Sequence, residues 1–165
     1  RLSELVKIYT AQSGIVIMTP HMAEFARLLH CSVPKLQRER MEKAEGYCRE
    51  TGAILVSKDA ATLVGFHDFA DRFCYYINQT GNAGMATAGS GDVLSGITGA
   101  LAAYTAVNHS DNREETDGKS AYFQAVCHAV YLHGLAGDMA AEKHGEASMK
   151  AGDIIMALPE ILKSL

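Results

Sequence analysis

Gly81-Asn82-Ala83-Gly84-Met85-Ala86-Thr87-Ala88-Gly89-Ser90-Gly91-Asp92 is unlike any other stretch of the chain. Small residues dominate it, and they allow backbone amides to approach a ligand closely. It runs directly into an apolar stripe of Val93, Leu94, Ile97, Thr98 and Leu101, the pattern of a helix. A helix starting here points its positive end at whatever the glycines surround. The amides of Gly89, Ser90 and Gly91 would then form an anion hole, with Asp92 beside it in the first turn. An isolated Gly-Ser-Gly-Asp could equally be a plain turn in which Asp92 only complements the helix dipole. The length of this stretch favours a binding loop. It is no Walker A loop, because Gly91 stands after Ser90 where lysine is needed. It is no Rossmann fingerprint either, because Leu94 occupies the place of the third glycine.

Upstream of this loop, strand and helix patterns alternate. Leu2 to Ala11 reads as the end of a helix. Ile15-Val16-Ile17-Met18 is a short apolar run, the mark of a buried strand. Thr19-Pro20 supplies an N-cap and a first helical residue for a helix carrying Phe25, Leu28 and Leu29. Val33 to Glu50 reads as one amphipathic helix, stopped by Gly52. Ala53 to Val56, Thr62 to Gly65 and Phe73 to Asn78 read as strands, the last two separated by a polar turn at His67-Asp68. Downstream, Asn108 to Lys119 is hydrophilic without periodicity and reads as a surface loop. Ser120 to Ala141 and Asp153 to Leu165 read as helices, the second containing Pro159. Alternating elements imply a layered α/β fold with a largely parallel sheet, in which ligands sit at the carboxyl ends of the strands.

Composition narrows the function. The 165 residues are 48% apolar and 21% charged, with a net charge of -4. That is the balance of an ordinary globular domain, and residues 1–165 read as one. No Lys/Arg cluster offers a nucleic-acid surface, and no apolar run is long enough to span a membrane. The four cysteines, Cys31, Cys48, Cys74 and Cys127, show no paired spacing. They read as reduced thiols of a cytosolic protein. His128 and His133 are five apart, not the four that would align two ligands on one helix face. No metal held by side chains alone is expected. The chain opens at Arg1 inside an apparent helix, as a piece of a longer protein would.

Gly81 to Asp92, continued by Val93-Leu94-Ser95-Gly96, resembles the signature of the NAD(P)H-hydrate dehydratase family within the ribokinase-like superfamily. Thr19-Pro20-His21, with Glu24 and Leu28-Leu29, is similar to a second hallmark. His133-Gly134-Leu135-Ala136-Gly137-Asp138, Asp153-Ile154 and Leu158-Pro159 match as well. The resemblance implies a three-layer ribokinase-like fold and a repair reaction. Hydrated NADH or NADPH is dehydrated at the expense of ADP or ATP with Mg2+, through phosphorylation of the hydroxyl and loss of phosphate. In that scheme Asp92 is the base, and Gly89, Ser90 and Gly91 bind the transferred phosphoryl group. His21 contacts the hydrated nicotinamide, unless it serves only as a helix cap. Asn82 orients phosphate or magnesium, or holds the loop. A homo-oligomer, such as a tetramer, is implied too.

Two departures stand out. The family's nucleotide-binding turn is Lys-Gly, a small-residue turn and then threonine, whereas this chain has Lys58-Asp59-Ala60-Ala61-Thr62. An acid at Asp59 repels phosphates. The family also carries further N-terminal βα units that these residues lack, so residues 1–165 alone are expected not to turn over. Two other readings share the loop. One is a kinase for a thiamine precursor, disfavoured by His21 because those kinases typically carry asparagine after Thr-Pro. The other is an inactive nucleotide-binding fragment.

Overall fold

The computed structural model describes residues 2–12, 14–68, 70–108 and 118–164. The chain divides into two compact units. The first contains helix α1 (Leu2–Ala11), strand β1 (Ile17–Met18) and helices α2 (Met22–Leu28), α3 (Val33–Arg38) and α4 (Arg40–Thr51). Strands β2 (Ile54–Ser57), β3 (Leu63–His67) and β4 (Phe73–Ile77) complete it, with the start of α6 (Gly118–His144). The second unit comprises a 3₁₀ turn at Ala83–Met85, α5 (Ser90–Asn108), the rest of α6 and α7 (Ala151–Ser164).

The layered α/β class is as expected, but the sheet of the described residues is mixed, not largely parallel. Its order is β1-β2-β3-β4. β1 and β2 run parallel, with Ile17 opposite Ile54 and Met18 opposite Leu55, and helices α2 to α4 form the crossover between them. β2 with β3 and β3 with β4 are antiparallel. The links after β2 and β3 are polar turns, too short for the crossover that a parallel neighbour requires.

Burial explains the strand patterns. Every residue of β2 is buried, which is why Ile54-Leu55-Val56 reads as an unbroken apolar run. β4 is the edge strand, and its Tyr75 and Ile77 are exposed. Phe25, Leu36, Ala44, Tyr47, Cys48 and Leu55 form the core of this unit, with Phe25 edge-on to Tyr47 at 5.6 Å. The Cys48 thiol donates to the Gly65 carbonyl at 3.3 Å, and burial pushes its pKa up to about 12. It is a packing residue of this core.

Two helix boundaries differ from the sequence reading. The cap of α2 is His21, not Thr19. The Pro20 carbonyl accepts the Lys58 amide at 2.9 Å, so the β1–β2 ladder holds the Thr-Pro segment extended and delays the helix. The single helix read from Val33 to Glu50 is two, broken at Glu39 (φ -112, ψ 21). Gly52 stops α4 as expected, in the left-handed conformation at φ +69. Of the loop read from Asn108 to Lys119, Asn108 ends α5 and Gly118 opens α6, while residues 109–117 lie outside the described residues.

The second unit is held by Leu132, Ala136 and Ala140 of α6 against Met149 and against Ile154, Ala157 and Ile161 of α7, with Met85 and Val93 beside them. No helix among the described residues is long and apolar enough to cross a membrane.

Phe25 has no solvent exposure and is among the largest fully buried side chains. Phe25→Ala is expected to cost about 3–5 kcal/mol in urea unfolding, through lost transfer energy and the cavity left behind. A loss below about 1 kcal/mol would show that α2 does not anchor this core.

Candidate active site

The residues singled out in the sequence fall into two clusters, one in each unit. In the first, the parallel ladder continues beyond its strands and brings His21 and Lys58 together as a bridge. Both stand just past the carboxyl ends of β1 and β2, where an α/β sheet presents ligand-binding groups.

His21 is also a helix cap. Its Nδ1 accepts the amides of Ala23 at 3.2 Å and Glu24 at 3.3 Å, while Glu24 Oε2 accepts the His21 amide at 2.9 Å. This is a capping box with histidine in place of serine. An Nδ1 that accepts carries no proton, so the hydrogen-bond network assigns the neutral ring's proton to Nε2, 3.5 Å from Glu24 Oε1. The His21 amide holds the Glu24 carboxyl below its ordinary range. Burial opposes this, while His21, Lys58 and Arg27 add to the lowering.

Lys58 opens the turn Lys58-Asp59-Ala60-Ala61-Thr62, in which Asp59 Oδ1 accepts the Ala60 amide at 2.9 Å and Thr62 Oγ1 donates to the Asp59 carbonyl at 3.3 Å. A residue not anticipated from sequence holds this turn. Arg40, the first residue of α4, donates from Nη2 to the Ser57 carbonyl at 2.6 Å. It also donates from Nη1 to the Ala61 carbonyl at 2.9 Å and from Nε to Ser57 Oγ at 3.3 Å. The same Nη1 lies 3.6 Å from Asp59 Oδ2. Burial pushes the Arg40 guanidinium below its ordinary pKa, and Asp59 opposes that shift. The one available sequence signal was Asp59 itself: an acid in a phosphate-type turn calls for a counter-charge, but seventeen residues separate Arg40 from Ser57.

The second cluster is the glycine loop. Gly89 caps α5 at φ +86, a conformation that favours glycine, and its carbonyl accepts the amides of Asp92 at 3.0 Å and Val93 at 3.1 Å. The Ser90 amide turns back to the Thr87 carbonyl at 3.3 Å. Gly91 therefore sits at the second position of α5 and Asp92 at the third, and the amides on either side of Gly91, those of Ser90 and Asp92, are already bonded within the loop. The exposed Asp92 carboxylate joins no ion pair among the described residues.

Helix α6 holds this loop in place. His133 Nε2 lies 3.0 Å from the Ser90 carbonyl and 3.3 Å from Ser90 Oγ, in buried surroundings. The carbonyl only accepts, so Nε2 carries the proton. Asp138 Oδ2 accepts the Gly81 amide at 2.9 Å and its Oδ1 accepts Asn82 Nδ2 at 3.0 Å. Asn82 Oδ1 in turn accepts the Gly84 amide at 3.0 Å. Both ends of the Asn82 amide thus serve the loop, the second of the two roles expected for it. A Cβ on Gly134 would lie 2.0 Å from Thr80 Oγ1, and one on Gly137 would lie 2.2 Å from Met85 Sδ. Positions 133 and 137, and likewise 134 and 138, are one helical turn apart and share a face. His133-Gly134-Leu135-Ala136-Gly137-Asp138 is thus a surface shaped to receive the loop. Two glycines, each beside a polar residue and repeated at helical spacing, were the legible sign of that role.

Asp138→Ala should strand the Gly81 amide and release Asn82. The expected result is a stability loss of about 1–3 kcal/mol and faster hydrogen exchange at the Gly81 and Gly84 amides. Unchanged exchange at those amides would show that Asp138 does not hold the loop.

Comparison with known proteins bears on both clusters. Residues 2–160 match the family model described as NAD(P)H-hydrate dehydratase. The chain is 42% identical over 159 residues to a bifunctional NAD(P)H-hydrate repair enzyme of Moorella thermoacetica, covering 96% of this chain and 27% of that protein. It is 39% identical over 143 residues to an ADP-dependent (S)-NAD(P)H-hydrate dehydratase of Neisseria meningitidis, covering 86% of this chain and 42% of that protein. The crystal structure of ADP/ATP-dependent NAD(P)H-hydrate dehydratase from Bacillus subtilis, co-crystallised with ATP/Mg2+, superposes with a TM-score of 0.73 at 28% identity. That match covers 92% of this chain and 48% of the Bacillus chain. The chain therefore spans between about a quarter and about half of these relatives' lengths. Both the sequence family and the ribokinase-like fold agree, and the chain belongs to the NAD(P)H-hydrate dehydratase family.

Proposed function

We propose that this chain, as the C-terminal part of one dehydratase domain, takes part in the adenine-nucleotide-dependent dehydration of hydrated NADH and NADPH, a lyase reaction that repairs these cofactors. The observation that carries the reading is the start of α5. There Asp92 stands exposed beside Gly91, on a loop anchored by His133 and Asp138. A cytoplasmic setting belongs to the same reading, supported by unpaired cysteines of which Cys48 and Cys127 are pushed up to about 12 by burial. Assembly as a homo-oligomer, such as a tetramer, rests on the resemblance.

The residues present fit the phosphates of ADP or ATP. The nineteen-residue helix α5 presents amides of its first turn. Its macrodipole adds the equivalent of roughly half a positive charge at that end. Taken by itself, the first unit offers Lys58 and the turn through Asp59, Ala60, Ala61 and Thr62, a cation beside polar backbone. The nucleotide's phosphates would supply the hard oxygen ligands that Mg2+ prefers.

The Asp92 carboxylate takes the proton of the substrate hydroxyl as the hydroxyl oxygen bonds to the terminal phosphorus of ADP or ATP. The bond from that phosphorus to its bridging oxygen breaks to release AMP or ADP. The carbon–oxygen bond then breaks, phosphate departs with the oxygen, and the neighbouring ring carbon gives up a proton to solvent as the double bond forms. The Ser90 amide, bonded to the Thr87 carbonyl, shapes the loop. The amides of Gly89 and Gly91 on either side of it stabilise charge on the phosphoryl oxygens, a role that depends on preorganisation. The contact of His133 with the Ser90 carbonyl supports that requirement, because it fixes the backbone whose amides do the work. His21 meets the hydrated nicotinamide through Nε2, the ring atom that accepts no cap amide and lies 3.5 Å from Glu24 Oε1.

Asp92→Asn tests the assignment in the intact protein. Asparagine keeps the size and helix-start chemistry, so nucleotide binding and folding are expected to persist. Turnover of hydrated NADH is expected to fall by about 10²–10⁴, the usual contribution of a positioned base. Near-normal turnover with a lowered melting temperature would make Asp92 a helix-dipole residue instead.

A further inference from the structure

We infer that Arg40 is a positioning residue for the nucleotide-binding turn, neutralising Asp59 so that the charge of Lys58 remains available to phosphate. The inference rests on the reading of residues 58–62 as a phosphate-binding turn. It adds what that reading leaves open, namely how a turn of this kind works with an acid next to its lysine.

The geometry is specific. Arg40 reaches both ends of the turn at once, taking the Ser57 carbonyl at 2.6 Å before it and the Ala61 carbonyl at 2.9 Å within it. Its Nε takes Ser57 Oγ at 3.3 Å, and Ser57 is fully buried. The side chain is only 18% exposed, so its charge is partly withdrawn from water. It then lies 3.6 Å from Asp59 Oδ2, while the other Asp59 oxygen is committed to the Ala60 amide. A planar guanidinium with five fixed donors can serve two carbonyls, a hydroxyl and a carboxylate together, which a lysine ammonium cannot. The break at Glu39 is part of the device, because it makes Arg40 the first residue of a new helix instead of an interior residue of a longer one.

Asp59 and Ala61 stand where the family pattern has glycine. Glycine would shape such a turn through backbone freedom and would bring no charge. Here a side-chain brace shapes the turn, and the same brace cancels the acid. Without Arg40, Asp59 would oppose any phosphate drawn to Lys58. With it, Asp59 no longer offsets the charge of Lys58.

Calorimetric titration of the intact protein with ADP tests this, using Lys58→Ala, Arg40→Gln, Arg40→Lys and the double variant Arg40→Gln/Asp59→Asn. Lys58→Ala is expected to weaken ADP about tenfold, as loss of a charge-assisted phosphate contact does. Arg40→Gln is expected to weaken it at least about fivefold. Adding Asp59→Asn should recover most of that loss, because asparagine keeps the acceptor for the Ala60 amide and removes the exposed negative charge. A brace that acted by shape alone would leave the double variant as weak as Arg40→Gln, and that result overturns the inference. So does wild-type affinity in Arg40→Gln when Lys58→Ala is weakened. Wild-type affinity in Lys58→Ala instead overturns the phosphate-binding reading of the turn, and this inference with it. If Arg40→Gln melts below the assay temperature, Arg40→Lys decides. It keeps the charge, so affinity within about threefold of wild type supports neutralisation and a loss of about tenfold overturns it.

Discussion

Asp138 and His133 hold the glycine loop from a helix that needs no loop of its own to reach it. Asp138 satisfies two donors at the beginning of the loop, and His133 meets Ser90 at its end. The two glycines between and beside them let the loop come close enough for those bonds to form. The direction of α5, the placing of Asp92 at its third residue and the presentation of the Gly91 amide all follow from that seating. A loop of small residues has high conformational entropy when free, and ordering it costs on the order of 1–2 kcal/mol per residue. Fixed anchors at both ends reduce that cost to one met during folding, so the amides are already placed when a ligand arrives.

The other cluster rests on a different constraint, the extension of the parallel β1–β2 register by one bridge. Because Lys58 donates its amide to Pro20, His21 cannot lie inside a helix, and it becomes the cap instead. One backbone bond thus sets the start of α2 and puts the two candidate ligand-binding side chains next to each other. The Arg40 brace acts from the crossover helices on the same turn, so the pieces between β1 and β2 return to serve the ends of both strands.

Much of this was legible in the sequence, and the failures have physical causes. The buried run at Ile54-Leu55-Val56, the stop at Gly52 and the loop-to-helix transition at Gly89 all depend on local chemistry, and local patterns reported them. The helix start at Thr19-Pro20 was misplaced because a non-local hydrogen bond overrides a locally good cap. The break at Glu39 was missed because the apolar stripe continues across it with Leu36 on one side and Ala44 on the other. The sheet was expected to be largely parallel and is mixed among the described residues, since a buried run such as β2 looks alike beside a parallel and an antiparallel neighbour. Arg40 could not be paired with Asp59 from sequence at all, because a lone arginine at the start of a polar helix has many available partners.

His21 carries a consequence of its own. Its cap bonds consume the lone pair of Nδ1, so the remaining ring nitrogen, Nε2, offers an N–H and no acceptor. Such a group discriminates by polarity: it favours an oxygen lone pair and disfavours another donor. Moving the proton to Nδ1 would cost both amide bonds at the head of α2, so the helix itself locks the imidazole in one tautomer. The orientation of whatever binds at Nε2 is thereby written into the first turn of a helix that never needs to touch it.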